Sequence, residues 1–387
     1  MPIDIRVGIP TQGAPEIESA GDFTLLRNML IGKDFHWQQT ASALLPGRVE
    51  INDDPEFPVV NCLDIETYLE CVVGSEMNPE APVEFLKAHA VISRSWAMGK
   101  ITGAHPDSDE GKIFRDDLIV NWEDTCDHHG FDVCSDDHCQ RYQGVQPVAS
   151  TVLEALRSTR GMVLFSPEGK LVDARFPKCC GGRTEVFSSC WQDRREVCLE
   201  SVEDPWCDLS GLSAAEREHV LRSILKEYDL ANGGGYRWET EITAAAVRRN
   251  LREKFRRDIG EIEDMEVLER GASGRAVLLR LIGSGGTLTL GKELMIRRLL
   301  APTHLYSSWI DIRRVSASDP GVDRQSGGMP GASSGRGEEF SFHIGGRGWG
   351  HGVGLCQIGA ARMALAGADY RAILAHYYPS SSIKIFS

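Results

Sequence analysis

Hydrophobic and polar positions change their period along the chain, and each change predicts a different kind of element. Residues 3–60 alternate short apolar runs with Gly, Pro and Asp turns, which predicts a small β-rich region. From Asp64 the period becomes helical, since apolar side chains recur three and four positions apart as far as Glu76. Asp64 is a good N-cap residue, so we expect a helix that begins directly after it.

The rest of the chain mixes helical patterns, strand patterns and turn-rich segments. A second helix is predicted over residues 82–100. Apolar side chains occupy nearly all of its faces, which is typical of a helix buried in a core. The remaining predictions are a loop-rich segment over 101–147, a helix over 149–158, paired strands over 161–185, charged helices over 212–257, strands over 265–269, 276–283 and 287–290, an exposed loop over 316–339, and a helix over 355–366 followed by one capped by Asp369.

This mixture of short strands and a few core helices predicts an α+β fold. We expect the site to be assembled from distant parts of the chain, because an inserted lobe separates two parts of one core. The predicted segments are an N-terminal β-rich region over 1–62, a core over 63–207, an inserted helix-and-strand α/β lobe over 208–315, a flexible Gly/Ser-rich loop over 316–339 and the C-terminal part of the core over 340–387.

Charge and composition exclude some classes of function. The 387 residues include 42 Lys and Arg against 56 Asp and Glu, a net charge of −14 that disfavours binding to a nucleic-acid backbone. No apolar run approaches the roughly 18 residues that a membrane-spanning helix needs. The first residues, Met-Pro-Ile-Asp-Ile-Arg, lack the layout of a secretory signal. We therefore expect no nucleic-acid partner and no transmembrane segment.

Glu76 is a carboxylate on the apolar face of its predicted helix. On a helical wheel on which Ile65 is set at zero, Glu76 lies at an angle of about 20°, inside the apolar stripe. A carboxyl group in such an environment can act first as a general acid and then as a base. The alternative is a buried structural Glu paired with Arg94 or Lys87, and the periodicity favours neither interpretation.

Lys87 and Arg94 lie seven positions apart on one face of the second helix. Basic side chains on an otherwise apolar helix need a partner, which could be Glu76 or a polar substrate. A typical glycosidase uses two carboxylates, whereas this region offers one convincing candidate. A glycan-cleaving enzyme of this kind would take its nucleophile from the substrate itself.

A glycine-rich turn near the C-terminus carries a second candidate residue. Residues 345–354 contain six glycines, and His351 has a glycine on each side. The turn lacks the Gly-Lys-Ser/Thr ending of a phosphate-binding loop. His351 is therefore either a site residue or a hydrogen-bonding residue of the loop.

Cysteine and histidine concentrate in residues 126–139, which contain three of each. Thiolate and imidazole ligands suit Zn²⁺ in a closed structural site, although a disulfide with surface histidines is an alternative. The chain has 11 cysteines, an odd number that rules out complete pairing. A second group without histidine is predicted to form disulfides or buried thiols: Cys179, Cys180, Cys190, Cys198 and Cys207.

Four motifs together resemble the stage II sporulation protein D/LytB (SpoIID/LytB) family. They occur in order over most of residues 50–387, and they are Leu63–Met77, Glu84–Trp96, Cys180–Glu185 and Gly348–Ala360. Sporulation members of this family are lytic transglycosylases that cut peptidoglycan strands already stripped of stem peptides and leave a 1,6-anhydro-muramic acid end. Other members are called amidase enhancers.

The resemblance implies roles for individual residues. Glu76 would protonate the glycosidic oxygen and then assist attack by the 6-hydroxyl of the sugar. Zinc would be held by His128, Cys134 and Cys139, with Cys126 and His138 as rival ligands. Cys179 and Cys356 depart from the family, since many members have Ser at these positions. The predicted substrate contacts are Lys87, Arg94, Cys180, Thr184, His351 and Gln357.

Two other functions compete with the transglycosylase. The chain could be a non-catalytic peptidoglycan-binding enhancer whose partner is an N-acetylmuramoyl-L-alanine amidase, because a fold can persist while its function changes. It could also be a zinc hydrolase that uses the His/Cys segment. Either peptidoglycan function implies the cell envelope or periplasm, which contrasts with the lack of a visible export signal.

Overall fold

The computed structural model describes residues 3–33, 38–105, 109–123, 128–136, 138–145, 149–230, 236–315 and 340–386. Helices and strands are mixed throughout these residues, which confirms the predicted α+β class. The predicted loop over 316–339 lies outside the described residues, and the predicted segment boundaries stay predictions. No described helix has the length and apolar character needed to cross a membrane.

The helices and strands are numbered in chain order. The α-helices are α1 Ile65–Glu76, α2 Val83–Ile101, α3 Ser150–Ser158, α4 Ala214–Ile224, α5 Glu227–Leu230, α6 Ala244–Phe255, α7 Glu293–Leu299, α8 Gln357–Leu365 and α9 Tyr370–Tyr377. The strands are β1 Asp4–Ile9, β2 Ile17–Ala20, β3 Phe23–Ile31, β4 Gln39–Leu45, β5 Arg48–Ile51, β6 Val59–Asp64, β7 Ile113–Phe114, β8 Leu118–Val120, β9 Val133–Cys134, β10 Met162–Phe165, β11 Arg237–Thr243, β12 Ile262–Arg270, β13 Ala276–Gly283, β14 Gly286–Gly291, β15 Trp309–Val315, β16 Ser341–Arg347 and β17 Ser382–Ile385.

Five small sheets organise these strands. Their strand orders are β5-β6-β1-β9, β2-β3-β4, β10-β17, β11-β16-β15 and β12-β13-β14-β8-β7. Strand β1 pairs antiparallel with β6 and parallel with β9, so the His/Cys segment is attached to the N-terminal sheet. Strand β6 ends at Asp64 and leads directly into α1, which begins at the next residue, Ile65.

Two large hydrophobic cores, and a small third cluster of Val60, Phe131 and Cys134, hold the described residues together. The larger core packs α1, α2 and α8 with the N-terminal sheet. The second core packs α6 and α7 against β12, β13 and β14, and it also takes in Ile119 of β8. Burial of this much apolar surface is the main stabilising contribution to each core.

Three predictions of secondary structure are wrong in detail. Strand β10 makes an isolated antiparallel bridge inside 161–185, between Phe165 and Leu171, but its partner along its whole length is the C-terminal strand β17. The segment 212–257 contains strand β11 between its helices, because β11 has β16 as an antiparallel partner. The described part of the loop-rich segment 101–147 contributes three short strands, and β8 pairs in parallel with β14. Strands β8, β9, β10 and β11 pair with partners distant in sequence, which local patterns do not reveal.

Candidate functional site

Helix α1 begins and ends where its sequence dictates. The Asp64 side chain accepts hydrogen bonds from the backbone amides of Glu66 and Thr67 at 3.1 and 3.2 Å, which confirms the predicted N-cap. The apolar stripe of the helix faces the larger core. Glu76 is the last residue of α1 and is only 6% exposed, so the carboxylate on the apolar face is buried.

Two groups from later parts of the chain hold Glu76. Its Oε1 accepts a hydrogen bond of 3.0 Å from the backbone amide of Arg141. The Nζ atom of Lys178 lies 4.0 Å from Oε2 and donates a hydrogen bond of 3.2 Å to the backbone carbonyl of Glu76. One carboxylate oxygen is thus fixed by an amide, while the other faces an ammonium group at a longer distance.

Asp229 balances the positive charges around Glu76. Its carboxylate lies 3.2 Å from the Nζ atom of Lys178 and 3.1 Å from a guanidinium nitrogen of Arg141. All three side chains are buried, so removal of one charge leaves the others poorly compensated. This network ties the end of α1 to α5 and to the loops that carry the two cations.

The glycine-rich turn folds back against residues 175–185. The backbone of Trp349 pairs with Cys179, and that of Val353 pairs with Glu185. Gly354 has a φ of +77°, and a Cβ atom there would lie 2.0 Å from the carbonyl oxygen of Arg175. Only glycine meets both the backbone conformation and this close approach.

His351 projects from this turn into an aromatic and basic environment. Its Nδ1 accepts a hydrogen bond of 3.0 Å from the amide of Val353, so the neutral ring carries its proton on Nε2. The ring centroid lies 5.0 Å from that of Trp191. The guanidinium of Arg175 forms a cation–π contact with Trp191, at 4.2 Å from the ring centroid.

Gln357 begins α8 and contacts a buried histidine of α2. Its amide nitrogen lies 2.9 Å from Nε2 of His89, whose Nδ1 lies 3.2 Å from the hydroxyl of Ser93. Burial, together with the nearby charge of Lys178, lowers the pKa of His89 to about 3. His89 is therefore neutral and accepts the hydrogen bond from Gln357.

A cleft of about 1260 Å³ brings these groups together. Glu76, Lys178, Trp191, His351 and Gln357 line one part of it. Residues of the second core's region line another part, including the ion pairs Glu123–Arg298 and Glu293–Arg297. A cleft of this size exceeds the usual range for a small ligand and suits a polymer.

Four residues of the His/Cys segment also border the cleft, and their chemistry fits a metal ion. The ligand atoms of His128, Cys134, His138 and Cys139 all lie within 4.8 Å of one another. The Nε2 atom of His128 lies 3.2 Å from the Cys139 sulfur. The donor set of two imidazoles and two thiols is typical of a closed tetrahedral site. The rival ligand Cys126 lies outside the described residues.

The two predicted basic contacts do not lie at this cleft. Arg94 is 1% exposed, and its guanidinium forms a buried pair with Glu66 at 2.7 Å and donates to the carbonyls of Thr159 and Met162. The alternative in which Arg94 pairs with Glu76 is therefore wrong. Lys87 likewise pairs with Glu84 at 2.7 Å, because both lie on one turn of α2.

Cys180 and Thr184 are also absent from the described lining of the cleft. The Thr184 hydroxyl accepts a hydrogen bond of 2.8 Å from the amide of Val202 and is fully buried. Cys180 is buried beside Asp204 and Cys207. Both residues hold the loop that supports the glycine-rich turn, so the structure gives neither a direct route to a substrate.

Sequence reasoning missed the cations and aromatics that do line the cleft. Lys178, Arg141, Arg175 and Trp191 all come from segments without a regular period. Two of them could have been noticed because they are next to a motif in the sequence: Lys178 directly precedes the Cys179-Cys180 pair, and Arg141 follows the His/Cys segment. Neither indication identifies Glu76 as the partner.

Comparison with known proteins supports one family for the site-bearing part of the chain. Residues 53–165 match the family described as stage II sporulation protein, SpoIID. This match contains Glu76 and the His/Cys segment. This match, together with the relatives below, supports the SpoIID/LytB family for this part of the chain. Residues 185–354 match a domain of unknown function, DUF8618, which contains His351.

Two curated relatives share low sequence identity with the chain. An uncharacterized protein of Brachyspira hyodysenteriae is 27% identical over 320 residues, which cover 83% of this chain and 66% of that protein. The amidase enhancer of Bacillus subtilis is 22% identical over 354 residues, which cover 82% of this chain and 40% of that protein. The chain thus spans less than two thirds of each relative.

Proposed function

We propose that this protein is a lytic transglycosylase that cleaves MurNAc–GlcNAc bonds in peptidoglycan strands lacking stem peptides. The match of residues 53–165 to the SpoIID family and the relative named amidase enhancer support a peptidoglycan-related function. The observation that carries the proposal is Glu76, a buried carboxylate at the wall of a cleft large enough for a polymer. Such a function places the protein in the cell envelope.

Glu76 supplies the acid and the base of the proposed reaction. In its protonated form it donates its proton to the glycosidic oxygen, and the bond from that oxygen to C1 of the muramic acid breaks. The resulting carboxylate then accepts the proton of the 6-hydroxyl as that oxygen bonds to C1. The product is a 1,6-anhydro ring, no water is consumed, and Glu76 is protonated again.

The other carboxylates that line the cleft support a mechanism with one acid/base residue. Glu123 and Glu293 are paired with arginines, and Glu56 is paired with Lys33. Asp136 accepts hydrogen bonds from the backbone amides of Gly32 and Lys33. Glu76 differs from these described carboxylates because it is buried and its nearest cation lies at the longer distance of 4.0 Å from a carboxylate oxygen.

Lys178 and Arg175 are suited to bind the carboxylate of the muramic acid lactyl group. Both line the same cleft as Glu76, and both are partly balanced by a buried aspartate. Trp191 beside them offers an apolar ring face, which is a common surface for a sugar ring. These residues would orient the strand with its glycosidic oxygen at Glu76.

We further propose that His128, Cys134, His138 and Cys139 hold a structural zinc ion. When bound, the metal supplies a cross-link within the segment rather than a reactive group. The segment continues to Arg141, whose amide binds Glu76, and to Gln140, whose side chain accepts a hydrogen bond from Tyr68 of α1. The zinc site would therefore help to position the catalytic carboxylate of Glu76 through the contacts of Gln140 and Arg141 with α1.

The neighbouring histidines provide a matched test of this metal site. His128→Ala should lose one equivalent of zinc per chain, melt at a lower temperature and lose most strand cleavage, because the loop no longer holds Glu76. His129→Ala should match the unchanged protein in zinc content, melting temperature and strand cleavage, since His129 is exposed and outside the ligand group. Equal zinc content in the two purified variants would contradict the proposed ligands.

The relative named amidase enhancer favours a second function, in which the protein binds glycan and stimulates an amidase. Strand length and amidase activity separate the two functions when they are measured in one reaction. A transglycosylase shortens peptide-free strands, and Glu76→Gln abolishes the shortening while leaving strand binding intact. An enhancer alone leaves strand length unchanged and stimulates the amidase equally with either residue at position 76.

A further inference from the structure

A second cluster of metal-binding side chains lies in the larger core, separate from the His/Cys segment. It is formed by Cys180, Asp204, Cys207 and Cys356, and all four are buried. Their ligand atoms lie within 4.8 Å of one another. Neither the substrate role predicted for Cys180 nor the mechanism around Glu76 accounts for this concentration of thiols.

The distances between these atoms match the edges of a coordination tetrahedron. The Cys180 sulfur lies 3.5 Å from the Cys207 sulfur and 3.2 Å from Oδ2 of Asp204. Four ligands at the zinc–sulfur distance of about 2.3 Å would be about 3.8 Å apart, and an oxygen ligand shortens its edges. The observed spacing is slightly tighter than this, so the group encloses one ion after a small outward movement.

Backbone amides hold two of the four ligands in place, Asp204 and Cys356. Oδ1 of Asp204 accepts a hydrogen bond of 3.1 Å from the amide of Trp206, which leaves Oδ2 directed at the thiols. The Cys356 sulfur accepts hydrogen bonds from the amides of Cys180 and Gly359 at 3.2 and 3.4 Å. Such bonds stabilise a thiolate and resemble the outer contacts that hold ligands in known metal sites.

The backbone also leaves space for the carboxylate. A Cβ atom at Gly359 would lie 2.3 Å from Oδ2 of Asp204 and 2.3 Å from the Tyr377 hydroxyl. A divalent cation would compensate the charge of these ligands once they are deprotonated, since burial of uncompensated charge is costly.

We propose that Cys180, Asp204, Cys207 and Cys356 bind a single structural zinc ion. Zinc fits because thiolate-rich tetrahedral sites select it, and binding would release the thiol protons to solvent. The ion would join three segments that are distant in sequence: the loop before Gly181, the 3₁₀ helix Pro205–Cys207 and the start of α8. It would thus fasten the base of the turn that carries His351.

Metal analysis in a chain that lacks the first site tests this proposal. The full-length His128→Ala protein, purified under reducing conditions, should contain one equivalent of zinc per chain. Adding Cys207→Ser should reduce this to nearly none. Adding Cys198→Ser instead should leave one equivalent, because Cys198 is a buried cysteine outside the cluster. Zinc retained after Cys207→Ser would overturn the proposal.

Cobalt provides a readout that needs no change in the cluster itself. His128→Ala protein stripped of zinc and given Co²⁺ should take up one equivalent and show thiolate-to-cobalt charge-transfer absorption. No thiolate–cobalt band would overturn the proposal, and so would a Cys180–Cys207 disulfide in peptides from the natively purified chain. Strand cleavage is measured separately, so loss of the Glu76 mechanism would not be mistaken for loss of this site.

Discussion

Lys178 places a positive charge at the wall of the cleft, beside the carboxylate proposed to perform the chemistry. We expect Lys178→Met to weaken binding of muramic acid-containing strands roughly tenfold, the effect of losing one charge-assisted hydrogen bond. Binding of neutral N-acetylglucosamine oligomers should change little. Lys87→Met is the matched control, because Lys87 pairs with Glu84 away from the cleft. An equal loss for both ligands would contradict this role.

His89 makes stability depend on pH in a predictable direction. Burial lowers its pKa to about 3 in the folded protein, whereas an unfolded chain binds the proton near pH 6.5. The unfolded state therefore binds more protons between these values, and stability falls as the pH falls, by at most about 1.4 kcal/mol per pH unit. His89→Gln should flatten this part of the unfolding free-energy profile.

The control for this measurement is His219→Gln, since His219 is exposed on α4. Chemical denaturation at several pH values from 7 to about 4 gives the slopes to compare. The His219 variant should keep the slope of the unchanged protein. If the His89 variant also keeps it, the neutral buried state assigned to His89 is wrong.

Single residues differ in how far sequence alone could place them. The helical wheel put Glu76 on the buried face because the period of a helix fixes the direction of each side chain. The same reasoning failed for Arg94, since a face of a helix does not reveal which neighbouring element supplies a partner. Glu66 and the carbonyls of Thr159 and Met162 fill that role.

The geometry of the glycine-rich turn is tightly restricted. Gly354→Ala would strain a backbone with φ of +77° and bring a Cβ within 2.0 Å of the Arg175 carbonyl. We expect a loss of stability of more than about 1–2 kcal/mol, the cost of left-handed backbone alone, and weaker strand binding. Gly367→Ala is the control, because its φ is also positive, at +95°, but its Cβ would meet open space.

Thermal unfolding of the two alanine variants isolates the contact from the backbone strain. The Gly354 variant should melt at a clearly lower temperature than the Gly367 variant. Similar melting temperatures would show that the turn moves away from Arg175 at little cost, and its rigid placement of His351 would then be incorrect.

Elements with local signals were predictable, and elements that need a distant partner were not. Asp64 and Asp369 cap their helices through hydrogen bonds to nearby amides, as their sequences predict. Strand β10 and the short strand β8 pair with strands that lie 217 and 171 positions away at Phe165–Ser382 and Leu118–Thr289. Period and turn residues carry no information about such pairings.

At the scale of the whole molecule, the cleft depends on two cores that bring distant segments together. Glu76 and His351 lie in different family matches along the chain, yet both line the same cleft. The molecule is acidic overall, with a net charge of −14, but Lys178, Arg141 and Arg175 concentrate positive charge inside the cleft. The order of motifs predicted an assembled site, while its basic residues became apparent from the structure.

The central claim is that Glu76 catalyses cleavage of the glycan strand with formation of a 1,6-anhydro ring on muramic acid. Mass spectrometry of products from peptide-free peptidoglycan strands tests it most directly, with Glu76→Gln compared against Glu70→Gln on the same helix. The unchanged protein and the Glu70 variant should release fragments whose muramic acid ends are one water lighter than reducing ends, and the Glu76 variant should release none. Anhydro products from the Glu76 variant, or hydrated ends from the unchanged protein, would contradict the account.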